Sequence, residues 1–365
     1  MSAATTENPT PVDTQPMKLR WWLLGVPAAL LIAWAAGMWF CDSTTVVVWN
    51  DDLQEWTFDP AFVRHHRTEG WGSTVFGPHG EIGPLRFTDH PDPDRYVLWG
   101  DSYIEAYHVG DAQKMQNLIN RDWAVAHPDD PLNVTAMGSS GWRLSDYVRL
   151  VPRYEALTGV PAGHLIVLQS FQDLTVDPTL AEPLPVEQYR RKTAPSFQSW
   201  RRFLREWRLS GLRAFVHELK WIRIRWTPGP AEEPVFAYVP PPFHDTQETW
   251  DYLAMCLDRL AADPEAPCTV VWMPDTPAVT DQGIQLEPEG RAVWERLAQM
   301  ARERGLGFVS LEPTLREHHE RTGGFAYGFA NTFPGRGHLN ADGHRLVADV
   351  LIDTLEASRH DLHAD

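Results

Sequence analysis

Two shortages, one of cysteine and one of basic residues, limit the class of protein to which this chain can belong. It has three cysteines in 365 residues, too few for a disulfide framework or a cysteine-rich metal cluster. Lys and Arg number 32 against 49 Asp and Glu, which gives a formal net charge of −17. Nucleic-acid binding relies on clustered Lys and Arg at the phosphates. We therefore expect no nucleic-acid partner, no metal and no other cofactor.

Charge of either sign is missing from one long stretch, residues 21–40, which reads WWLLGVPAALLIAWAAGMWF. A helix of this length spans roughly 30 Å of hydrocarbon, so the stretch predicts a transmembrane helix. A cleaved signal peptide is the alternative, but its apolar part is usually about 7–15 residues and ends in small residues, whereas this one ends in bulky residues. Lys18 and Arg20 precede the run and Asp42 follows it. The positive-inside rule then predicts a cytoplasmic tail, 1–20, and an extracytoplasmic remainder held in the inner membrane.

An extracytoplasmic location leaves open whether Cys256 and Cys268 form a disulfide. They fall at the end of a predicted helix and the start of a predicted strand. An oxidising compartment permits a disulfide between them, and two buried thiols are the alternative.

The rest of the chain divides into a short region and a large domain. Residues 41–94 are rich in Trp, Gly, Pro and His without sustained periodicity, and we interpret them as a juxtamembrane collar packed on the main domain. From 95 to 360, short β-branched runs alternate with helical patterns, which predicts a doubly wound, mostly parallel five-stranded sheet flanked by helices. The candidate strands are 96–99, 133–136, 164–169, 269–272 and 307–311.

One segment interrupts this alternation, a basic helical insertion at about 179–234. Within it, residues 186–226 carry eleven Lys and Arg against three Glu, with aromatic residues at roughly helical spacing. A solvated helical insertion is one interpretation. The other is a surface for anionic lipid or an acidic glycan, which would involve Arg201, Arg202 and Arg205.

Polar residues with catalytic potential occur where the predicted strands end. Ser102 follows the first strand in YVLWGDSYIEAYHV, Gly141 follows the second, Gln172 follows the third, and His338 precedes the last helix in GRGHLNADGHRLVADVL. Carboxyl ends of parallel strands meet at one edge of a sheet, so these four loops are expected to converge. A serine, a backbone glycine, an amide and a histidine together suit ester cleavage or acyl transfer.

On these motifs the chain resembles the SGNH hydrolases, the GDSL-like family, and in particular their membrane-anchored members. The resemblance covers about 95–172 and 334–351. It implies that Ser102 is the nucleophile and His338 the base, and that the backbone N–H groups of Ser102 and Gly141 belong to the oxyanion hole.

Two positions depart from the family pattern. The third oxyanion donor is an Asn in the family, and here Gln172 stands there. The family's acid lies about three residues before the histidine, where this chain has Gly335 and Arg336. Without a carboxylate the imidazole lacks an orienting acceptor. Asp275, at the end of the fourth strand, is our candidate for this orienting acid.

The sequence therefore predicts a membrane-anchored esterase or O-acyltransferase that works through an acyl-Ser102 intermediate. The expected substrate is an ester-linked acyl group, with acetyl on an envelope carbohydrate as the leading candidate. The alternatives are a catalytically inactive binding or assembly protein that has lost the acid, and a lipid esterase whose basic insertion lies on the bilayer. Membrane lipid is thus an expected partner of the transmembrane helix and, in the last case, of the insertion.

Overall fold

The structure is a computed structural model that describes residues 19–40, 43, 46–88, 90, 93–181, 183–194, 242–280 and 282–362. The predictions for most of the cytoplasmic tail and for most of the basic insertion, with Arg201, Arg202 and Arg205, lie outside the described residues.

Helix α1 covers Leu19–Phe40, which matches the helical part of the prediction for this run. Several of its apolar side chains are exposed, namely Leu23, Leu24, Val26, Leu30, Leu31 and Ile32. Among the residues that the structure describes, none of the helices has both the length and the hydropathy of a membrane span.

The collar consists of two short antiparallel hairpins that pack on the main domain. They are formed by β1 (Val47–Asn50) with β2 (Glu55–Phe58), and by β3 (Arg64–His66) with β4 (Gly72–Thr74). Phe58, Phe76 and Ile82 of this region are buried in the core of the domain. A Cβ at Gly72 would overlap the carbonyl oxygens of Tyr107 and Val109. Only glycine permits this close backbone approach, so the collar is seated on the segment just after Ser102.

The prediction of a five-stranded parallel sheet is confirmed. The remaining strands are β5 (Asp94–Gly100), β6 (Leu132–Gly138), β7 (Gly163–Leu168), β8 (Cys268–Trp272), β9 (Ala278–Thr280), β10 (Gly283–Gln285) and β11 (Gly307–Ser310). The sheet has the order β11-β8-β7-β5-β6 with every pair parallel, while β9 and β10 form a separate hairpin. Since β5 lies between β6 and β7, the chain reverses direction across the sheet at β5, the place where such folds bind ligands.

Helices cover both faces of this sheet. They are α2 (Ser102–Glu105), α3 (Met115–Ala126), α4 (Leu144–Thr158), α5 (Pro178–Ala181), α6 (Val186–Thr193), α7 (Gln247–Leu260), α8 (Arg291–Arg302), α9 (Glu312–Thr322) and α10 (Ala341–Leu362). Side chains of α3 and α10 pack on one face with Leu98, and those of α4, α7 and α8 pack on the other with Trp99. Successive strand residues point to opposite faces, so both are buried.

The two cysteines whose pairing the sequence left open are free and buried in the second of these cores. Burial raises the pKa of both the Cys256 and Cys268 thiols to about 12, which keeps them protonated and unreactive at neutral pH.

Candidate active site

Ser102 is the first residue of α2 and follows the end of β5 after a one-residue connection. The Asp101 carboxylate accepts a hydrogen bond from the Tyr103 N–H at 3.0 Å and so caps the helix. A Cβ at Gly100 would overlap the side chain of Ile104, so glycine leaves the space in which Ile104 packs against the end of the strand. The turn from strand to helix presents the Ser102 hydroxyl at the carboxyl edge of the sheet.

His338 lies in the loop before α10 and contacts that hydroxyl. Its Nε2 is 3.0 Å from Ser102 Oγ, within the range of a hydrogen bond. Tyr103 donates a hydrogen bond to the Gly337 carbonyl at 3.1 Å, and Asn340 donates one to the Phe325 carbonyl at 2.8 Å. These bonds fix the loop on both sides of His338. The structure thus brings together two residues that are 236 positions apart in the chain.

The carboxylate that contacts His338 comes from the collar. Glu69 Oε2 is 2.9 Å from His338 Nδ1, and Glu69 Oε1 accepts the His338 backbone N–H at 2.7 Å. The two-point contact fixes both the ring and the backbone of this residue. With Nδ1–H donating to Glu69, Nε2 carries the lone pair that faces Ser102. A Cβ at Gly337 would overlap Glu69 Oε1, so glycine is also required beside this carboxylate.

This geometry corrects the sequence-based choice of Asp275 as the orienting acid. Asp275 follows β8 by three residues, and the carboxylate hydrogen-bonded to His338 is that of Glu69. Asp275 is nevertheless close enough to sense the site electrostatically. Desolvation is the main cause that raises its pKa to about 6, the charge of His338 opposes the rise, and the charge of Glu69 adds to it.

Glu69 and His338 shift one another's pKa in opposite directions. For His338, burial lowers the pKa, but the hydrogen bond and the negative charge of Glu69 outweigh it, so the net shift is upward. For Glu69, burial raises the pKa, but the hydrogen bonds and charge of His338 outweigh it, so the net shift is downward. The arrangement therefore favours a carboxylate beside an imidazole that gains a proton readily.

The loop after β6 carries Gly141 and is held by a buried glutamate. Gly141 is exposed and has a φ of 86°, in the left-handed region that favours glycine. Next to it, the Ser140 N–H and hydroxyl both donate to the Glu105 carboxylate at 2.7 Å. Glu105 belongs to α2, as Ser102 does, so the same helix presents the hydroxyl and fixes the neighbouring loop. Burial raises the pKa of Glu105, while the Ser140 hydrogen bonds oppose the shift.

Gln172 lies in a 3₁₀ turn, Phe171–Leu174, which follows β7. Its backbone N–H donates to Ser170 Oγ at 3.3 Å. The adjacent Asp173 is buried and accepts the N–H groups of Gln169 and Ser170 at 2.6 and 2.9 Å. The turn is thus fixed by its own carboxylate at the same edge of the sheet as Ser102, since β7 pairs directly with β5.

Glu69, His108 and His338 each offer one ligand atom, and these atoms lie within 4.8 Å of one another. The two imidazole rings stack nearly parallel, with centroids 3.9 Å apart and an interplanar angle of 17°. Lone pairs on stacked rings run side by side, whereas metal ligation needs them to converge on one point. The donor set therefore fits a hydrogen-bonded network better than a metal centre.

Sequence reasoning singled out Ser102 and His338, which the structure places in contact, and did not single out Glu69, Glu105 or His108. No periodic pattern or family motif marks Glu69, which stands in the irregular stretch HRTEGWGS. Its only local signal is a carboxylate directly before Gly70 and Gly72, in a region otherwise rich in aromatic residues. Glu105 could have been identified from the sequence, because it lies in the same GDSYIEA stretch as Ser102.

Comparison with known proteins gives no close relative. No protein-family model matches the chain, and no curated protein matches it. Solved structures match over most of their length, among them a catalytic mutant of an acetylxylan esterase from Geobacillus stearothermophilus, with 12% identity over 73% of this chain and 95% of the other and a TM-score of 0.39. A psychrotrophic esterase from Pseudoalteromonas sp. has 9% identity over 73% and 99%, with a TM-score of 0.38. A G-D-S-L family lipolytic protein from Veillonella parvula has 14% identity over 70% and 93%, with a TM-score of 0.36.

Similarities this low carry no argument about activity. The class of the protein is defined by its own structure, a doubly wound α/β fold with a serine, a histidine and a glutamate joined by hydrogen bonds at the carboxyl edge of the sheet.

Proposed function

We propose that this protein is a membrane-anchored, SGNH-like serine esterase or O-acyltransferase that works through an acyl-serine intermediate. The observation that carries the proposal is the continuous contact from Glu69 through His338 to the Ser102 hydroxyl, at 2.9 and 3.0 Å. A serine hydroxyl is a weak nucleophile, and a neighbouring base oriented by a third group is the usual means of activating it.

In the proposed reaction, Ser102 Oγ attacks the ester carbonyl carbon while its proton passes to His338 Nε2. Glu69 stabilises the imidazolium that forms. The tetrahedral intermediate collapses, the bond to the alcohol oxygen breaks, and His338 returns the proton to the departing alcohol. Water, or a second alcohol in the transferase case, then attacks the acyl-Ser102 ester by the same route in reverse.

Charge on the carbonyl oxygen needs donors that are already in place. By the family resemblance, these are the backbone N–H groups of Ser102 and Gly141 and the side-chain amide of Gln172. The bonds that fix the loops of Gly141 and Gln172 support this assignment, since Glu105 holds Ser140 and Asp173 holds its own turn.

An acetyl group on an envelope carbohydrate is the proposed substrate. This choice rests on the resemblance and on the proposed location outside the cytoplasm, with the N-terminus inside. The inactive alternative was based on a missing acid, and Glu69 supplies a carboxylate at His338. The lipid-esterase alternative relies on Arg201, Arg202 and Arg205 as the residues that would contact lipid, and these lie outside the described residues.

Labelling with a fluorophosphonate tests the proposal on the full chain in detergent. We expect rapid labelling of the wild type, and its loss in Ser102→Ala and in His338→Ala. Ser73→Ala is the matched control, because Ser73 Oγ also contacts a histidine, His65 Nδ1 at 2.8 Å, on the neighbouring hairpin strand. Labelling that survives Ser102→Ala, or folded wild-type protein that is not labelled, would contradict the proposal and favour a binding protein.

A further inference from the structure

We propose that His108, a residue outside the serine–histidine–glutamate chain, is a positioning residue for Glu69 and His338. This inference rests on the proposed function. In this role, His108 keeps Glu69 and His338 in their hydrogen-bonding geometry while the charge on His338 changes.

His108 follows α2 by three residues and is buried between aromatic rings and the collar. Its ring stacks on His338 at 3.9 Å, the shortest ring-to-ring separation in the described part of the chain. Phe329 stacks at 5.8 Å, and His66 meets His108 edge-on at 4.6 Å. Its carbonyl accepts the Trp71 N–H at 3.0 Å. His108 is therefore fixed by its neighbours, and any movement of the His338 ring toward it is blocked.

The same ring also faces the carboxylate. His108 Nε2 is 3.5 Å from Glu69 Oε2, the oxygen that contacts His338 Nδ1. At this separation the contact is electrostatic rather than a full hydrogen bond. Among the described residues, His108 Nδ1 has no hydrogen-bond partner. A bare lone pair is easier to leave unpartnered in the interior than an N–H donor, so we place the proton on Nε2, facing Glu69.

Burial is the largest cause that lowers the pKa of His108. The charges that His338, His66, His344 and Lys114 carry when protonated add to the lowering, and the Glu69 carboxylate faces the ring at 3.5 Å. His108 is thus a neutral ring with its N–H dipole aimed at Glu69. A neutral donor orients the carboxylate without competing with His338 for its negative charge, which a second cation would do.

This arrangement matters most when His338 becomes an imidazolium. The carboxylate must then stay in line with Nδ1, and the π-face of the neutral ring lies against the new cation. A purely structural role for His108 predicts lower stability with unchanged chemistry. A positioning role also predicts a change in the pH dependence of Ser102 reactivity.

Three variants of His108 separate its two contacts. His108→Phe keeps the stacked ring and removes the N–H, His108→Gln keeps a donor and removes the ring, and His108→Leu removes both. The matched control is His344→Leu, which changes another buried histidine with a lowered pKa, one whose ring nitrogens have no hydrogen-bond partner among the described residues.

The measurements use the full chain in detergent. They are the rate of fluorophosphonate labelling and the hydrolysis of p-nitrophenyl acetate from pH 5 to 9, with thermal unfolding to confirm folding. We expect His108→Leu to react at least about tenfold more slowly, the effect of weakening one contact to a charged group. Its acid limb is expected to move to lower pH, because a loosened Glu69 raises the His338 pKa less. Phe or Gln is expected to restore part of the rate, and His344→Leu to keep it.

A folded His108→Leu that reacts at the wild-type rate, or one that is slow with an unmoved acid limb and no rescue by either Phe or Gln, would overturn the inference. The proposed function is tested separately, since it fails if the folded wild type is not labelled or if labelling survives Ser102→Ala, and neither outcome depends on the His108 variants.

Discussion

Glu69 is the residue that determines the orientation of His338 in the candidate site. It accepts both the ring and the backbone N–H of His338, so it sets the tautomer, the ring orientation and the charge that the imidazole bears. Asp275, the carboxylate chosen from the sequence, senses His338 only at longer range.

Substitution of these two carboxylates tests which of them orients His338. We expect Glu69→Gln to lower kcat for p-nitrophenyl acetate by about 10²–10⁴-fold, because the amide no longer stabilises the imidazolium or fixes the tautomer. Asp275→Asn is expected to change kcat by less than about tenfold, since it leaves the Glu69 contacts in place. Steady-state kinetics on both variants decide the matter, and a larger loss in Asp275→Asn would return the role to Asp275.

The pH profile of the proposed reaction reports the effect of the Glu69 charge on His338. His338 must be neutral to accept the Ser102 proton, so kcat/KM rises with pH through the His338 pKa. Glu69 raises that pKa against the effect of burial, so the acid limb is expected above the ordinary imidazole value of about 6.5. In Glu69→Gln the raising effect is lost while burial remains, and the limb is expected to move to lower pH. An unmoved limb would mean that the kinetic pKa does not belong to this pair.

How far the site can be predicted from the sequence differs from residue to residue. Ser102 and His338 stand in motifs that single them out locally, a strand that ends on Gly-Asp-Ser and a histidine before an amphipathic helix. Glu69 is 269 positions from His338 and occurs in a region without periodicity. Its role depends on how the collar seats on the domain, which no local pattern determines.

At the scale of elements, Gly337 allows the loop before α10 to lie directly against Glu69 of the collar. Gly337 has a φ of 89° and Gly323 has a φ of 68°, so an alanine is strained at either position by about 1–2 kcal/mol. Only at Gly337 would the new Cβ overlap Glu69, whereas at Gly323 it would meet no atom within 4 Å.

These two glycines therefore make a matched pair for a substitution test. Both Gly337→Ala and Gly323→Ala are expected to lower the melting temperature, which calorimetry measures. We expect Gly337→Ala also to lower kcat by about 10²-fold, because a displacement of about 1 Å in a catalytic group has effects of that size. Gly323→Ala is expected to keep its kcat. Equal activity in the two variants would mean that the Glu69 contact is not needed in catalysis.

Most of the sheet could be predicted because its strands are buried on both faces and read as short apolar runs. The predicted run 96–99 lies inside β5 (Asp94–Gly100), and 269–272 lies inside β8 (Cys268–Trp272). The collar hairpins were not predicted. Their strands are three or four residues long, and the register is set by close backbone contacts such as that of Gly72 with Tyr107 rather than by alternation of apolar residues.

At the scale of the whole molecule, the collar lies in sequence between the proposed membrane anchor and the sheet, and it supplies the acid of the proposed site. The described part of the collar is therefore a component of the proposed site and not a passive spacer. If 21–40 span the membrane, the site is tied to the bilayer surface by the same segment that completes it. This arrangement would suit a substrate assembled at, or attached to, the membrane.

Fractionation of cells that produce the full chain tests the anchor. The exposed apolar side chains of α1 and the uncharged run 21–40 lead us to expect the protein in the membrane pellet after alkaline carbonate, with release only by detergent. Its mass is expected to include residues 21–40, because an anchor is retained whereas a signal peptide is removed. A soluble product that begins after residue 40 would instead establish cleavage. It would leave the Glu69–His338–Ser102 contacts complete, since all three residues lie beyond that point.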